Sequence, residues 1–417
     1  MMKPMRRRLF LTSTLTLGLL WGSMHPAAAQ VRSDPLELKS KDRIVFLGDS
    51  ITHGGHYVAS FQNALWCLMP EKNLSFFNAG VSGDVAAHAL ERLDAEVIAQ
   101  MPDVVTILLG MNDAGYRAFD EELLAKYRRD MTAIVKRLRA ETEAKLVLLS
   151  PTYFDESQVA EGRFTPPGYN DTLIRYGEVC RQLAEEYEGH FVDLNAPLLQ
   201  ATERLRAQDE NATLVPDAIH PAEAGGMVMA HAMLTGLLDP PLKRTPKRAL
   251  KLQASGKSAS SGQGEFKLRA LSPAWDAESC STIAADLDWA DRWNPYYLQT
   301  SFLGQGRWKV WLGDAEPVVV EEPHAGKFIL PASLVERAAR VQDLVDRRRR
   351  MVWTDIRDEV WKIKGDGTPA SRKERYAKIH PQNLKLAWVK IVALNHEIAT
   401  LLAQPLVVPY RIERLDD

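Results

Sequence analysis

The chain has 417 residues, more than one compact core usually holds, so two domains are the starting expectation. A hydrophobic fraction of 46% and a charged fraction of 25% are those of a globular protein and exclude a disordered one. With 52 Lys and Arg against 54 Asp and Glu, the net charge of −2 gives no global attraction to nucleic acid or to an acidic membrane face.

The amino-terminal segment, residues 1–29, reads as an export signal. Lys3 and Arg6 to Arg8 form a positive start, Leu9 to Met24 is mostly apolar, and Ala27-Ala28-Ala29 supplies small residues for cleavage. Arg7-Arg8-Leu9-Phe10-Leu11 is similar to a twin-arginine signal, and an arginine-rich Sec signal is the other reading. No later stretch has the roughly 20 apolar residues of a membrane span, so an exported protein, periplasmic or extracellular, is expected.

From Lys41 to Leu238 (a first domain over residues 41–239), short apolar runs alternate with helical periods. The runs are Ile44 to Leu47, Leu74 to Phe77, Val104 to Leu109, Leu146 to Leu149 and Phe191-Val192, each bounded by Gly, Asp, Asn or Pro as buried parallel strands are. Between them, Val85 to Ala99 and Leu123 to Leu138 carry apolar residues at spacings of three and four. Such alternation predicts an α/β fold: a parallel sheet between two helical layers, with functional loops at the carboxyl ends of the strands.

Residues 240–264, opening on Pro240-Pro241 and rich in Lys, Ser and Gly, read as a linker. Residues 265–417 read as a mixed β and helical domain. Its strand candidates are Phe266 to Leu271, Trp308 to Leu312, Val318 to Val320 and Phe328 to Leu330. Two long helices follow, the second with a seam of Leu384, Ala387, Ile391, Leu394, Ile398 and Leu401, and Leu406 to Val408 is a last strand candidate. Cys67, Cys180 and Cys280 are too few for a disulfide framework and too scattered for a zinc cluster, and read as buried thiols.

The chemistry-bearing residues follow the strands. Gly48-Asp49-Ser50-Ile51-Thr52 follows the first, Asn78-Ala79-Gly80-Val81-Ser82-Gly83-Asp84 the second, and Gly110-Met111-Asn112-Asp113 the third. Asp217-Ala218-Ile219-His220-Pro221 comes far downstream. Singly, each has a plain structural explanation. Ser50 suits a helix N-cap, Gly80 a positive φ, Asn112 a turn and His220 a loop. Their joint occurrence, in order and at strand ends, favours a site.

In this respect residues 41–238 resemble the SGNH, or GDSL-type, hydrolase superfamily, with Ile51 where that family usually has leucine. The resemblance implies a three-layer α/β/α, flavodoxin-like sandwich and a serine esterase. It implies Ser50 as nucleophile, His220 as base, Asp217 as third member, and Ser50, Gly80 and Asn112 as oxyanion donors. The residue chemistry agrees. A serine hydroxyl needs an adjacent base, the developing oxyanion needs fixed donors, and a carboxylate three residues before a histidine can orient its ring. A backbone carbonyl can orient a histidine too, which leaves Asp217 the more open assignment.

No cofactor and no metal is expected. The substrate is a small-molecule or polysaccharide ester, and export with an aromatic-rich second domain tilts toward acetyl groups on carbohydrate. A lipase, lysophospholipase or thioesterase of the same fold is the alternative, and a non-catalytic wall-binding protein the alternative of another class. His53 and His56 read as substrate-facing or solvated rather than as metal ligands, and Arg347 to Arg350 as a solvated helix face. The tryptophans of the second domain read as packing before a sugar-stacking platform.

Overall fold

The computed structural model describes residues 34–159, 167–238, 248–252, 260–275, 277–293, 296–299, 303, 306–321, 332–364, 374 and 385–415. Residues 1–29, expected to be an export signal, and the strand candidate Phe328 to Leu330 lie outside the described residues.

Five apolar runs form one parallel sheet: β1 (Arg43–Gly48), β2 (Ser75–Gly80), β3 (Val104–Leu108), β4 (Lys145–Leu149) and β5 (His190–Val192), in the order β2-β1-β3-β4-β5. Every residue of β3 is buried, which is why the run shows no polar alternation. Gly48 pairs with Gly80 on one side and with Leu108 on the other, so the first three strands end level. The loops after β1, β2 and β3 therefore leave the sheet at one edge, side by side.

The helices are α1 (Ser50–Gly54), α2 (His56–Leu68), α3 (Ala86–Glu91), α4 (Leu93–Glu96), α5 (Glu121–Glu141), α6 (Tyr169–Glu186), α7 (Asn195–Arg206) and α8 (Glu223–Leu238). Helix α2 packs on α8 and α8 on α7, while α5 packs on α3 and α6, giving the two outer layers of a three-layer α/β/α sandwich. Helix α5 follows its apolar stripe: Tyr127, Met131, Ile134, Val135 and Leu138 are buried, and Asp120 caps it by accepting from the Glu122 and Leu123 N–H groups. The helix expected from Val85 to Ala99 is instead broken at Arg92, which has φ −106° and ψ 7°. Its guanidinium turns into the core and donates to the carbonyls of Gly48 and Ala79 and to Asp84.

Beyond the sandwich, β6 (Arg248–Lys251) pairs in parallel with β8 (Tyr296–Gln299). A four-stranded antiparallel sheet joins β7 (Ser261–Leu268), β9 (Arg307–Leu312), β10 (Val318–Glu321) and β11 (Leu406–Leu415) in the order β10-β9-β11-β7. The linker expected over residues 240–264 is thus corrected: 248–251 and 261–264 are strand. Serine and glycine there mark a sheet edge rather than free chain, because β11 supplies the partner from the far end of the sequence.

The helix Ala332–Met351 runs through a π-helical turn, Val352–Arg357, into the helix Asp358–Lys364, and packs on α2 and on the helix Lys385–Ala403. The basic run on it is corrected in part: Arg347 and Arg350 are exposed as expected, but the two arginines between them are not. Arg348 is buried, donating to Asn395 Oδ1 (2.8 Å), Gln62 Oε1 (3.0 Å) and the Phe76 carbonyl (2.6 Å), and Arg349 donates to the Gly54 carbonyl. Long stems and five donors let arginine satisfy carbonyls that another domain leaves open. Burial pushes the Arg348 pKa down to about 10, which leaves it charged at neutral pH. One apolar core runs through both regions, from Phe46 and Leu149 to Trp308 and Val341. Cys67, Cys180 and Cys280 are buried, and no disulfide joins them.

Candidate active site

Ser50 begins α1 but does not cap it. The cap is Asp49, whose Oδ1 accepts the Ile51 N–H at 3.0 Å. The serine hydroxyl is therefore left for another partner. Ser50 Oγ lies 2.7 Å from His220 Nε2, and His220 Nδ1 lies 2.6 Å from Asp217 Oδ2. A carboxylate only accepts, so the Nδ1 proton points to Asp217 and Nε2 is free to accept from Ser50. Asp217 Oδ1 also takes the backbone N–H groups of His220 (2.7 Å) and Ile219 (3.0 Å). Burial raises the Asp217 pKa, but the His220 ring and these two amides outweigh it and hold the carboxyl below its ordinary range. The turn that makes this possible carries Ala218 at φ +74°, a left-handed conformation unusual for alanine. The Asp155 N–H donates to the Ala218 carbonyl and holds the turn in place.

Asn112 also reaches the site through a fixed amide. Its Nδ2 donates to the Asp84 carbonyl (2.9 Å), and its Oδ1 accepts from the Tyr116 hydroxyl (2.8 Å). Tyr116 is stacked on Tyr169, whose hydroxyl donates to the Met111 carbonyl and accepts the Tyr116 N–H. The amide orientation is thus set, with the Asn112 amide nitrogen donating to Asp84 and its oxygen accepting from Tyr116. No sequence signal singled out Tyr116, since its partner Tyr169 comes from a helix 53 residues away.

Gly80 does not serve as the sequence suggests. Its N–H donates to Asn78 Oδ1 at 2.8 Å, so it is not a free oxyanion donor. A Cβ at Gly80 would lie 2.2 Å from the His53 nitrogen, so this glycine lets β2 approach α1. Gly83, three residues on, stands at φ +71° in the following turn, and its N–H has no acceptor among the described residues. A serine–glycine turn within the same motif was the available signal.

His53, expected to face substrate or solvent, is buried. Its Nδ1 accepts from the Ser82 N–H (3.2 Å) and lies 2.9 Å from Ser82 Oγ, and its Nε2 faces Asp358 Oδ1 at 3.2 Å, off the line of a good hydrogen bond. Burial, helped by the Arg357 charge, pushes its pKa down to about 4 despite the opposing pull of Asp358, so the ring is neutral. His56 is half-buried beside Arg349 and Glu223. No group of three or more His, Cys, Asp or Glu suited to a metal occurs among the described residues.

Beneath the site lies a buried set of Asp49, Asp84, Asp113 and Arg92. The Arg92–Asp84 pair has no exposure on either side chain, and Asp113 Oδ1 accepts the Ala86 N–H. Arg92 thereby ties the ends of β1 and β2 to the loop carrying Gly83. Asp49 Oδ2 and Asp113 Oδ2 have no hydrogen-bond partner among the described residues. Burial pushes each of these two carboxyls up to about 7.

A family model for GDSL-like lipase/acylhydrolases matches residues 46–226. The acetylxylan esterase of Geobacillus stearothermophilus is 30% identical over 220 residues, which are 48% of this chain and 95% of that protein. The chain belongs to the GDSL-like lipase/acylhydrolase family. It is a carboxylic ester hydrolase. An arylesterase of Vibrio mimicus is a further relative, 26% identical over 28% of this chain and 59% of its own length. Among solved structures, a gut microbial diltiazem-metabolizing enzyme aligns over 93% of this chain and 100% of its own, with a TM-score of 0.62 and 19% identity. That likeness concerns the fold alone, and it extends through the region after α8. In this GDSL-like hydrolase, no helix among the described residues is long and apolar enough to cross a membrane.

Proposed function

We propose that the protein is an exported serine esterase that removes small acyl groups, acetyl above all, from carbohydrate. The observation that carries the catalytic part is the unbroken chain from Ser50 Oγ through His220 to Asp217. Ser50 gives its proton to His220 Nε2 as it attacks the ester carbonyl. Asp217 holds the imidazole in the accepting tautomer and stabilises the imidazolium that results. The Ser50 N–H, the Gly83 N–H and the second Asn112 N–H receive the oxyanion, with Gly83 in the place first given to Gly80. His220 then protonates the leaving alcohol, and the acyl-Ser50 ester is hydrolysed by a water that His220 deprotonates. The acetyl and carbohydrate part is supported by the acetylxylan esterase relative, which this chain covers almost completely. Export is supported by the arginine-rich, apolar start and the three alanines that end it.

The test is acetate release from acetylated xylo-oligosaccharide beside p-nitrophenyl esters of short and long acyl chains, compared by kcat/KM. Acetyl esters should turn over fastest, and folded Ser50→Ala should lose nearly all activity, by several orders of magnitude. A rate that climbs with acyl length would replace the acetyl reading by the lipase alternative. Undiminished turnover in Ser50→Ala would end the serine mechanism.

A further inference from the structure

Ser50 is on α1, and the turn that carries Gly83 follows β2. Arg92 ties the ends of β1 and β2 to Asp84, but an oxyanion donor must be held to a fraction of an ångström, which asks for a direct link between α1 and the Gly83 turn. Between them stands His53, one turn along α1 from the nucleophile and buried. A backbone N–H can only donate, so the Ser82 amide at 3.2 Å marks His53 Nδ1 as the unprotonated nitrogen. The Ser82 hydroxyl, 2.9 Å away, then donates to the same nitrogen. The ring proton of the neutral imidazole is therefore on Nε2, which faces Asp358 Oδ1.

Asp358 belongs to the C-terminal region, at the start of the helix Asp358–Lys364. The chain on either side of Asp358 is anchored to the first region. Arg357 makes a buried ion pair with Glu96 (2.5 Å), and Val360 packs on Val81, the residue before Ser82. The chain reaches this position through the π-helical turn Val352–Arg357, an insertion that re-aims a helix and often accompanies function.

Taking the serine esterase reading as its basis, we propose that Asp358, His53 and Ser82 form a positioning relay through which the C-terminal region holds the Gly83 turn against the nucleophile helix. His53 touches no reacting atom in this scheme. It fixes the Ser82 amide and hydroxyl, and so the direction of the neighbouring Gly83 N–H, while the Asp358 carboxylate, 3.2 Å from Nε2, favours the proton on that nitrogen through its charge. The second region then contributes to the chemistry of the first without supplying a catalytic residue.

The experiment measures kcat and KM on p-nitrophenyl acetate, and thermal unfolding, for His53→Phe, His53→Asn, Asp358→Ala and Ser50→Ala in the full-length protein. An oxyanion donor acts only in the transition state, so displacing it lowers kcat and leaves KM in place. His53→Phe, which has no acceptor for Ser82, should lose on the order of 10²-fold in kcat. In His53→Asn the amide oxygen stands where Nδ1 stood, accepts from Ser82 again, and should restore most of that loss. Asp358→Ala should lower kcat several-fold at unchanged KM, and because Asp358 is partly exposed it should fold normally.

The relay is overturned if Asp358→Ala and a folded His53→Phe keep wild-type kcat. It is overturned equally if the Asn and Phe variants lose the same activity in step with their melting temperatures, the mark of a merely structural histidine. Should His53→Phe not fold, His53→Asn and Asp358→Ala decide. Ser50→Ala separates the two levels. If it abolishes turnover while the relay variants change nothing, the relay alone fails; if it leaves turnover intact, the esterase reading fails first and the relay with it.

Discussion

Asp49→Asn tests the electrostatics under the nucleophile. The Asp49 carboxyl is wholly buried, caps α1 through Oδ1, and has no hydrogen-bond partner for Oδ2 among the described residues. Burial carries its pKa from 3.8 to about 7; the Asp113 and Asp84 charges add to that, and the Ile51 N–H opposes it. The unfolded chain releases this proton near its ordinary value, while the folded protein keeps it until about pH 7. Folding therefore takes up a proton between those limits, and stability falls as pH rises through them, then levels off. Each tenfold change in proton affinity is worth about 1.4 kcal/mol, which makes the full loss up to about 4 kcal/mol. Asparagine keeps the capping oxygen and cannot ionise. Urea denaturation followed by tryptophan fluorescence, at intervals from pH 4.5 to 8.5, should show the wild type losing stability relative to Asp49→Asn across this window, with the gap constant above it. Asp113 titrates in the same range in both proteins and largely cancels in the difference. Parallel stability profiles for the two proteins would refute the argument, since the carboxyl would then be ionised in the folded state at no cost.

Asn112→Ala should lower kcat by about 10²–10³ at nearly constant KM, because one oxyanion donor is lost. Activity collapse in Tyr116→Phe to the same degree would move that role from the asparagine to its neighbour. Glu96→Ala leaves Arg357 charged and buried without its partner, and should cost about 3–5 kcal/mol of stability in chemical denaturation. A cost below about 1 kcal/mol would mean that water reaches the pair. Replacing Arg7 and Arg8 together with lysine should trap precursor inside the cell if the twin-arginine route is used, as fractionation and immunoblotting would show. Normal processing of that variant would leave a Sec signal in its place.

The sandwich was legible because its signals are local. A buried strand such as Val104–Leu108 must be apolar on both faces, and an amphipathic helix such as α5 must repeat its apolar positions at three and four, whatever the rest of the chain does. The candidate site was legible for a related reason: parallel strands that end level deliver Ser50, Asn112 and the β2 loop to one edge, so motifs after consecutive strands become neighbours in space.

Roles within a motif were decided otherwise. Gly80 ends β2 and Gly83 stands three residues on in the turn that follows, and only the third dimension shows that Asn78 occupies the first amide while the second is left open. His53 and Arg348 read as surface residues because their burying partners, Asp358 for one and Gln62 and Phe76 for the other, come from the opposite end of the chain. Between Arg348 and Gln62 the separation is 286 residues, and no local periodicity encodes a contact of that range. The same holds for β7, whose serine- and glycine-rich start becomes a strand only when β11 returns to pair with it. Sequence determined the strands and helices whose signals are local and the candidate residues for acyl-transfer chemistry, because those depend on neighbours a few positions away. The tertiary structure alone decided which amides are free, which charges are buried and which region holds the site in register, because each depends on what packs there from elsewhere.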